Sequence, residues 1–267
     1  MSDYRQFAED FAYTAGKIIK ENFSLGMAKE WKSDNTPVTV TDKAINSLLI
    51  QEIQKKFPEH SILAEEESAL LRDAEYVWVC DPIDGTIPFC HGVPTSTFSL
   101  ALTKHGESIL GVVYDPFLDR LFVGEKGKGT TLNNKKVTVS TRNEFKGSAA
   151  NYEMGGSAGF NIMPLVEHLV MERGVKLFKF NSYIYPSVLI AAGEFVFTIF
   201  PSKTAHDAAA VKVIVEEAGG IVTDLHGNDQ RYDQPINGLI ASNGMMHDEL
   251  VQLAKKFIIP IRPDQEK

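Results

Sequence analysis

Tyr76-Val77-Trp78-Val79-Cys80-Asp81-Pro82-Ile83-Asp84-Gly85-Thr86 passes from a run of large and β-branched apolar side chains into two aspartates, a proline and a glycine. Residues 76–80 read as a buried strand. Asp81 then falls at the strand's carboxyl end, where ligand sites gather in α/β sheets. Pro82 has a fixed φ and no amide donor, and Gly85 removes the side chain that would block a close anion. Asp81 and Asp84 can therefore converge on one point. A hard cation such as Mg²⁺ takes oxygen ligands, commonly one or two carboxylates with water and phosphate, so this spacing suits it better than zinc. With a helix opening near Thr86, the Gly85 and Thr86 amides face outward and can hold a phosphate, and Pro88 is tolerated in that first turn. Taken alone, Pro-Ile-Asp-Gly also reads as a surface turn.

Working outward, Ser61-Ile62-Leu63 reads as a second strand ending in Ala64-Glu65-Glu66-Glu67. Helical spacing of apolar residues predicts amphipathic helices over roughly 3–23 and from Asp42 to Phe57. A glutamate run also reads as a solvated loop, and Asp42 and Asp207, each opening a predicted helix, also read as caps. Strand-like runs follow at Ser96–Leu102, Ile109–Tyr114 and Arg120–Gly124. The C-terminal half interleaves helical patterns at Ile162–Arg173, Tyr185–Ala192, Ala205–Ala218 and Met246–Phe257 with strand-like Leu177–Phe180, Phe195–Ile199, Ile221–Thr223 and Gly238–Ala241. The class is α/β with alternating helix and sheet layers, one domain over 1–260 with sub-halves of about 1–145 and 146–260.

The chain has 267 residues, 43% of them hydrophobic, enough to bury a sizeable core. Acidic residues outnumber basic ones 35 to 27, a net charge of -8 that argues against general affinity for nucleic acid or anionic membrane. A phosphate substrate stays compatible, because bound cations reverse the local field. No stretch reaches the ~18 apolar residues needed to span a bilayer, and the N-terminus lacks a signal-peptide pattern, so a cytoplasmic location is expected. Cys80 and Cys90 are too few for a disulfide framework or a four-thiolate zinc site and read as packing residues.

Asp81-Pro82-Ile83-Asp84-Gly85-Thr86, preceded by Ala64-Glu65-Glu66 and followed by His206-Asp207-Ala208-Ala209-Ala210, resembles the inositol monophosphatase family of lithium-sensitive Mg²⁺ phosphatases. Val38-Thr39-Val40-Thr41-Asp42, Gly111-Val112-Val113-Tyr114-Asp115-Pro116 with Gly127-Lys128-Gly129, and Glu217-Ala218-Gly219-Gly220 with Thr223-Asp224 extend the match in order over about residues 5 to 257. The resemblance implies a sugar-phosphatase fold, two or three Mg²⁺ ions, a homodimer, and a small phosphorylated metabolite as substrate. It makes Glu65, Asp81 and the Ile83 carbonyl ligands of one ion, and Asp84 and Asp207, with Asp81 bridging, ligands of a second. Glu65 and Thr86 would orient the attacking water, and Asp42 would hydrogen-bond Thr86 and support a weaker metal position. The Gly85 and Thr86 amides would hold the phosphate. Five carboxylates in one cleft repel unless cations neutralise them, which agrees with that assignment. Removing the Asp84 charge is expected to abolish turnover with little effect on folding.

The chain departs from the family in its substrate region. His206 replaces the usual Trp and reads as a packing residue or a proton donor to the leaving group. Where inositol-specific members carry a glutamate, this chain has Phe200, which leaves a sugar hydroxyl unpaired at a cost of about 1–3 kcal/mol. Asn181-Ser182-Tyr183-Ile184-Tyr185 brings two aromatic rings toward the expected pocket, or into the core. The resemblance also leaves histidinol-phosphate, fructose-1,6-bisphosphate and nucleotide 3'-phosphate phosphatases of the same superfamily as alternatives, and an aromatic pocket would suit an imidazole or nucleotide better than inositol. Gly155-Gly156-Ser157-Ala158-Gly159, with Asp207 and His226 downstream, also satisfies a serine-hydrolase elbow, but Ala149–Met154 is a poor strand to precede it. A non-catalytic binding protein is the remaining alternative, disfavoured because every ligand position is a carboxylate. Gly124–Thr130 has the wrong spacing for a Walker loop, and Lys126 and Lys128 read as a solvated turn.

Overall fold

The computed structural model describes residues 2–27, 29–31, 37–154 and 159–261. Helices α1 (Ser2–Asn22) and α2 (Val40–Lys56) flank a short ribbon of β1 (Glu30–Trp31) and β2 (Pro37–Val38). α2 opens two residues before the predicted Asp42, with Thr39 as its cap. Next come β3 (Ser61–Ala64), β4 (Tyr76–Asp84), α3 (Thr86–Cys90), β5 (Thr97–Lys104), β6 (Glu107–Asp115), β7 (Arg120–Glu125), β8 (Gly129–Leu132) and β9 (Lys135–Val137). These strands form one seven-stranded sheet in chain order, antiparallel except for β3 beside β4.

The C-terminal half runs through β10 (Ala149–Tyr152), β11 (Phe160–Asn161), α4 (Met163–Met171), β12 (Lys176–Phe178), α5 (Ile184–Ala191), β13 (Phe197–Phe200), α6 (Ala209–Glu217), β14 (Ile221–Thr223), β15 (Leu239–Ser242), α7 (His247–Phe257) and β16 (Ile259–Pro260). Its five-stranded sheet has the order β12-β10-β13-β15-β14. The predicted helix over 205–218 is in two pieces, a 3₁₀ turn at Ala205–Asp207 and then α6, separated by Ala208 at φ -131.

Three apolar cores sort these elements into layers. Phe7, Phe11, Ile45 and Leu49 of α1 and α2 pack on Trp78, Cys80, Leu100 and Val112, one face of the larger sheet. The opposite face, with Val79, Ala101 and Phe122, meets α5 and α6, which also cover Phe200 and Ala241 of the smaller sheet. α4 and α7 close the far side of the smaller sheet over Phe197, Ile199 and Ile240. Helix and sheet layers thus alternate through the molecule, as alternating patterns along the strands require. Both cysteines are buried and unpaired with each other. Among the described residues, no helix is long and apolar enough to cross a membrane.

One packing detail fixes the middle layer. Gly111 and Gly124 are cross-strand partners on β6 and β7. A Cβ on Gly124 would stand 2.7 Å from Ile214 Cα, and one on Gly111 would stand 2.8 Å from the Ala210 carbonyl oxygen. α6 therefore lies directly on sheet backbone through a window without side chains. Gly124→Ala should lift α6 and cost about 1–3 kcal/mol, read as a lower urea midpoint; an unchanged midpoint would show that the helix does not depend on that window.

Candidate active site

β4 does not stop at Cys80, as the apolar run predicts, but continues irregularly to Asp84. Asp81 pairs with Ser99 and Asp84 with Thr97, so three steps on β4 match two on β5, and Pro82, without an N–H, sits in the bulge. In a regular strand, residues three apart face opposite sides. The extra residue restores the parity: Ile83 joins the core with Trp78 and Cys80, leaving Asp81 and Asp84 toward the α5 and α6 side. α3 begins at Thr86, as expected, after Gly85 in the left-handed region at φ 80.

Asp84 is buried and held from the other half of the chain. Its Oδ2 accepts from Ser182 Oγ, Ile184 N (3.2 Å), Tyr185 N (3.1 Å) and Thr97 Oγ1 (3.2 Å), and its Oδ1 from Tyr183 N (2.8 Å). It thereby serves as the N-terminal anion of α5, a helix with no side-chain cap of its own. Asp84→Asn would turn an amide group toward some of those donors, so that substitution tests folding as well as turnover. Asp81 Oδ1 accepts from Ile83 N at 3.0 Å. Asp207, in the 3₁₀ turn ahead of α6, accepts from Ser202 Oγ and Thr204 Oγ1 at 2.5 Å each, and its Oδ1 lies 3.7 Å from His206 Nε2.

Asp42 takes part in the helix cap, as its position suggested, though as the third residue of the capping box and not as the cap, which is Thr39. Its Oδ2 accepts from Thr39 N (2.8 Å) and Thr39 Oγ1 (2.5 Å), closing a capping box. The expected Asp42–Thr86 hydrogen bond is not formed, because Thr86 Oγ1 donates to the Ile83 carbonyl at 3.0 Å. Asp42 Oδ1 is buried without a partner.

The field of this cluster is legible in its proton affinities. Burial first, then Glu65, Asp84, Asp207 and Asp42, holds the Asp81 carboxyl well above the ordinary range. Burial pushes Asp42 up to about 7 against its Thr39 donors, with Glu65 and Glu66 adding to the rise. It pushes Asp84 up to about 6 against Ser182, Tyr185 and Tyr183, and raises Asp207 against His206, Ser202 and Thr204. Glu65 and Glu66 are half-buried at the end of β3. Among the described residues, no three His, Cys, Asp or Glu side chains already stand at metal-ligand spacing. The donor chemistry nonetheless fits a hard cation: an all-oxygen set, mutually repelling, with Asp42 Oδ1 left over.

The substrate-region expectations fare differently. Phe200 is fully buried on β13 beneath Tyr183, ring centroids 4.7 Å apart, so it cannot line a pocket. Ser182 is buried on Asp84, and Tyr185 is buried with its hydroxyl accepting from Arg120 at 3.0 Å. Asn181 is exposed at φ 52, and His206 is partly exposed beside Asp207. Phe200 and Tyr185 are thus packing elements, while Tyr183 stays partly exposed. Ser157 lies outside the described residues. Residues 149–152 do form a strand, contrary to the expectation, yet exposed His226 meets Phe160 and is not a partner of Asp207. Thr97, Ser202 and Thr204 escaped the sequence reading; hydroxyls three and five residues before Asp207 were the available signal for two of them.

The sequence model of the inositol monophosphatase family matches residues 1–258. A Thermotoga maritima fructose-1,6-bisphosphatase/inositol-1-monophosphatase is 33% identical, with 83% of each chain covered. Inositol monophosphatase 1 of Solanum lycopersicum is 32% identical over 94% of each. The solved structure of a Thermotoga maritima IMPase superposes with a TM-score of 0.85 at 29% identity, covering 95% of this chain and 97% of that one.

Because the folded Asp42 carboxyl titrates near 7 rather than at its ordinary 3.8, the native state keeps a proton that the unfolded chain releases. That contribution to stability is lost as pH rises from about 4 through 7. In metal-free protein, Asp42→Asn should therefore gain about 2 kcal/mol on wild type between pH 5.5 and 8 in urea titrations; a constant difference would mean that Asp42 is ionised throughout.

Proposed function

We propose that this chain, which belongs to the inositol monophosphatase family, hydrolyses small sugar or polyol phosphomonoesters with Mg²⁺ as cofactor. The family's enzymes are phosphatases, so the reaction class is phosphoric monoester hydrolysis. The observation that carries the finer reading is the buried set Asp42, Asp81, Asp84 and Asp207, in which Glu65 and the other three aspartates raise the proton affinity of Asp81, Asp207 raises that of Asp84, and Glu65 and Glu66 raise that of Asp42. Such a set is costly until cations enter it.

Glu65, Asp81 and the Ile83 carbonyl would hold one ion, and Asp81, Asp84 and Asp207 a second. Bound there, such ions would supply a lowered pKa for a water, polarisation of the phosphoryl oxygens and stabilisation of the leaving oxygen. Gly85, left-handed and with Ser182 Cβ 3.3 Å from where its own Cβ would be, lets the N-terminal N–H groups of α3 turn toward a phosphate. Thr86 Oγ1, already directed at the Ile83 carbonyl, shares with Glu65 the task of orienting the attacking water.

Burial of Phe200, Tyr185 and most of Tyr183 removes the aromatic wall that would favour an imidazole or nucleotide. Sugar and polyol phosphates are then the better fit, in line with the two activities in the name of the Thermotoga maritima relative. Phosphate release should depend on Mg²⁺, vanish with EDTA, and favour inositol 1-phosphate or fructose 1,6-bisphosphate over histidinol phosphate and nucleotide 3'-phosphates by about tenfold in kcat/KM. Asp81→Asn keeps the acceptor for Ile83 N while removing the charge, so it should fold normally and lose about 10²–10³ in kcat. Metal-independent release, or turnover within a few-fold of wild type in that variant, would refute the reading.

A further inference from the structure

Glu153 is a buried carboxylate that the mechanism leaves unused. It follows β10, and its own N–H extends the parallel pairing by donating to the Ile199 carbonyl at 3.0 Å. The backbone of Glu153 is thus fixed by the sheet. Its Oε1 accepts from Phe180 N at 2.6 Å, and its Oε2 lies 3.9 Å from Lys179 Nζ. Lys179 in turn donates to Asn181 Oδ1.

The segment held this way is the one that holds Asp84. Asn181 sits at φ 52, a left-handed conformation disfavoured for a residue with a side chain. Immediately after it, Ser182 Oγ and the N–H groups of Tyr183, Ile184 and Tyr185 turn onto the Asp84 carboxylate. A turn of that shape needs an acceptor on its inner side, since a buried N–H without one is costly. Glu153 supplies it at Phe180, the residue before Asn181. Burial raises the Glu153 carboxyl to about 7, with Phe180 N–H and Lys179 opposing and Asp84 reinforcing. A plain apolar residue would avoid that cost, so the carboxylate is held here against its own solvation preference.

We propose that Glu153 is a positioning residue for Asp84: it holds the 179–183 turn in the conformation that aims Ser182 and the first N–H groups of α5 at the Asp84 carboxylate. Glu153 touches no reacting atom in this scheme. It acts through the turn, and the turn sets where both Asp84 oxygens point. The catalytic consequence rests on the phosphatase reading above; the structural one does not.

The test compares Glu153→Gln, which keeps an acceptor for Phe180 N, with Glu153→Ala, which has none. Hydrogen exchange in metal-free protein should quicken at least tenfold over residues 180–186 in Glu153→Ala and stay within about threefold of wild type in Glu153→Gln. In phosphate-release assays with Mg²⁺, kcat should fall about tenfold or more in Glu153→Ala with KM changed less than threefold, and Glu153→Gln should recover most of that loss. If Glu153→Ala does not fold, Glu153→Leu, which restores the volume without the acceptor, takes its place in both measurements. Equal losses in the Gln and Ala variants, or exchange that quickens throughout the chain rather than at 180–186, would overturn the proposal. Should the wild type release no phosphate, the exchange comparison still decides the role of Glu153.

Discussion

Everything in this fold has to accommodate four aspartates buried within one another's field. Asp42, Asp81, Asp84 and Asp207 are each 6% exposed or less. Desolvation and mutual repulsion both favour the neutral acid, while each charge-assisted hydrogen bond favours the carboxylate by about 1.5–3 kcal/mol. Asp84 collects five donors and still titrates near 6, so burial outweighs the donors even where they are most numerous. Hydrogen bonding from the protein reduces the conflict without removing it. What would remove it is positive charge, whereas the charges that act most on Asp42, Asp81 and Asp84 are those of neighbouring carboxylates.

The layers exist in a form that makes this convergence possible. Asp81 and Asp84 come from a bulge in β4, the strand next to the edge of the larger sheet, Asp207 from the turn before the helix sandwiched between the sheets, and Asp42 from a helix behind them. The Gly111–Gly124 window lets α6 approach the sheet closely, which carries Asp207 toward β4. Asp84 then ties the halves together by capping α5, about a hundred residues away in sequence. The site is therefore also a structural joint, in which Asp84 and Asp42 anchor the starts of α5 and α2.

Most of the layer pattern was legible in the sequence, because amphipathic helices such as α1 announce their buried face through period and doubly covered strands such as β6 read as continuous apolar runs. Legibility failed where tertiary contacts override local pattern. β4 runs past Cys80 because its ladder tolerates a bulge at Pro82, and 205–218 breaks at Ala208 because Asp207 must face Ser202 and Thr204. β8 and β9 carry polar, partly exposed faces at a sheet edge and leave no apolar signature. The acidic residues themselves stood out in sequence. Their partners did not: Thr97 and Ser182 reach Asp84 only after the chain has folded both halves together, so no spacing rule could have found them.

Asp42 shows why a capping role and a proposed cation-binding role are compatible for an acidic residue at a helix start. A carboxylate has two oxygens and about four lone-pair sites. The capping box uses Oδ2 for both Thr39 donors, and the rigidity of that arrangement leaves Oδ1 buried, unpartnered and fixed in direction. An oxygen so placed has lost its water and gained nothing in return, which is the state in which a hard cation binds with the smallest further desolvation cost. Asp84 follows the same logic with more donors: Tyr183 N takes one lone pair of Oδ1 and leaves the other. Reading such residues as caps is correct as far as it goes; the cap is what aims the remaining oxygen.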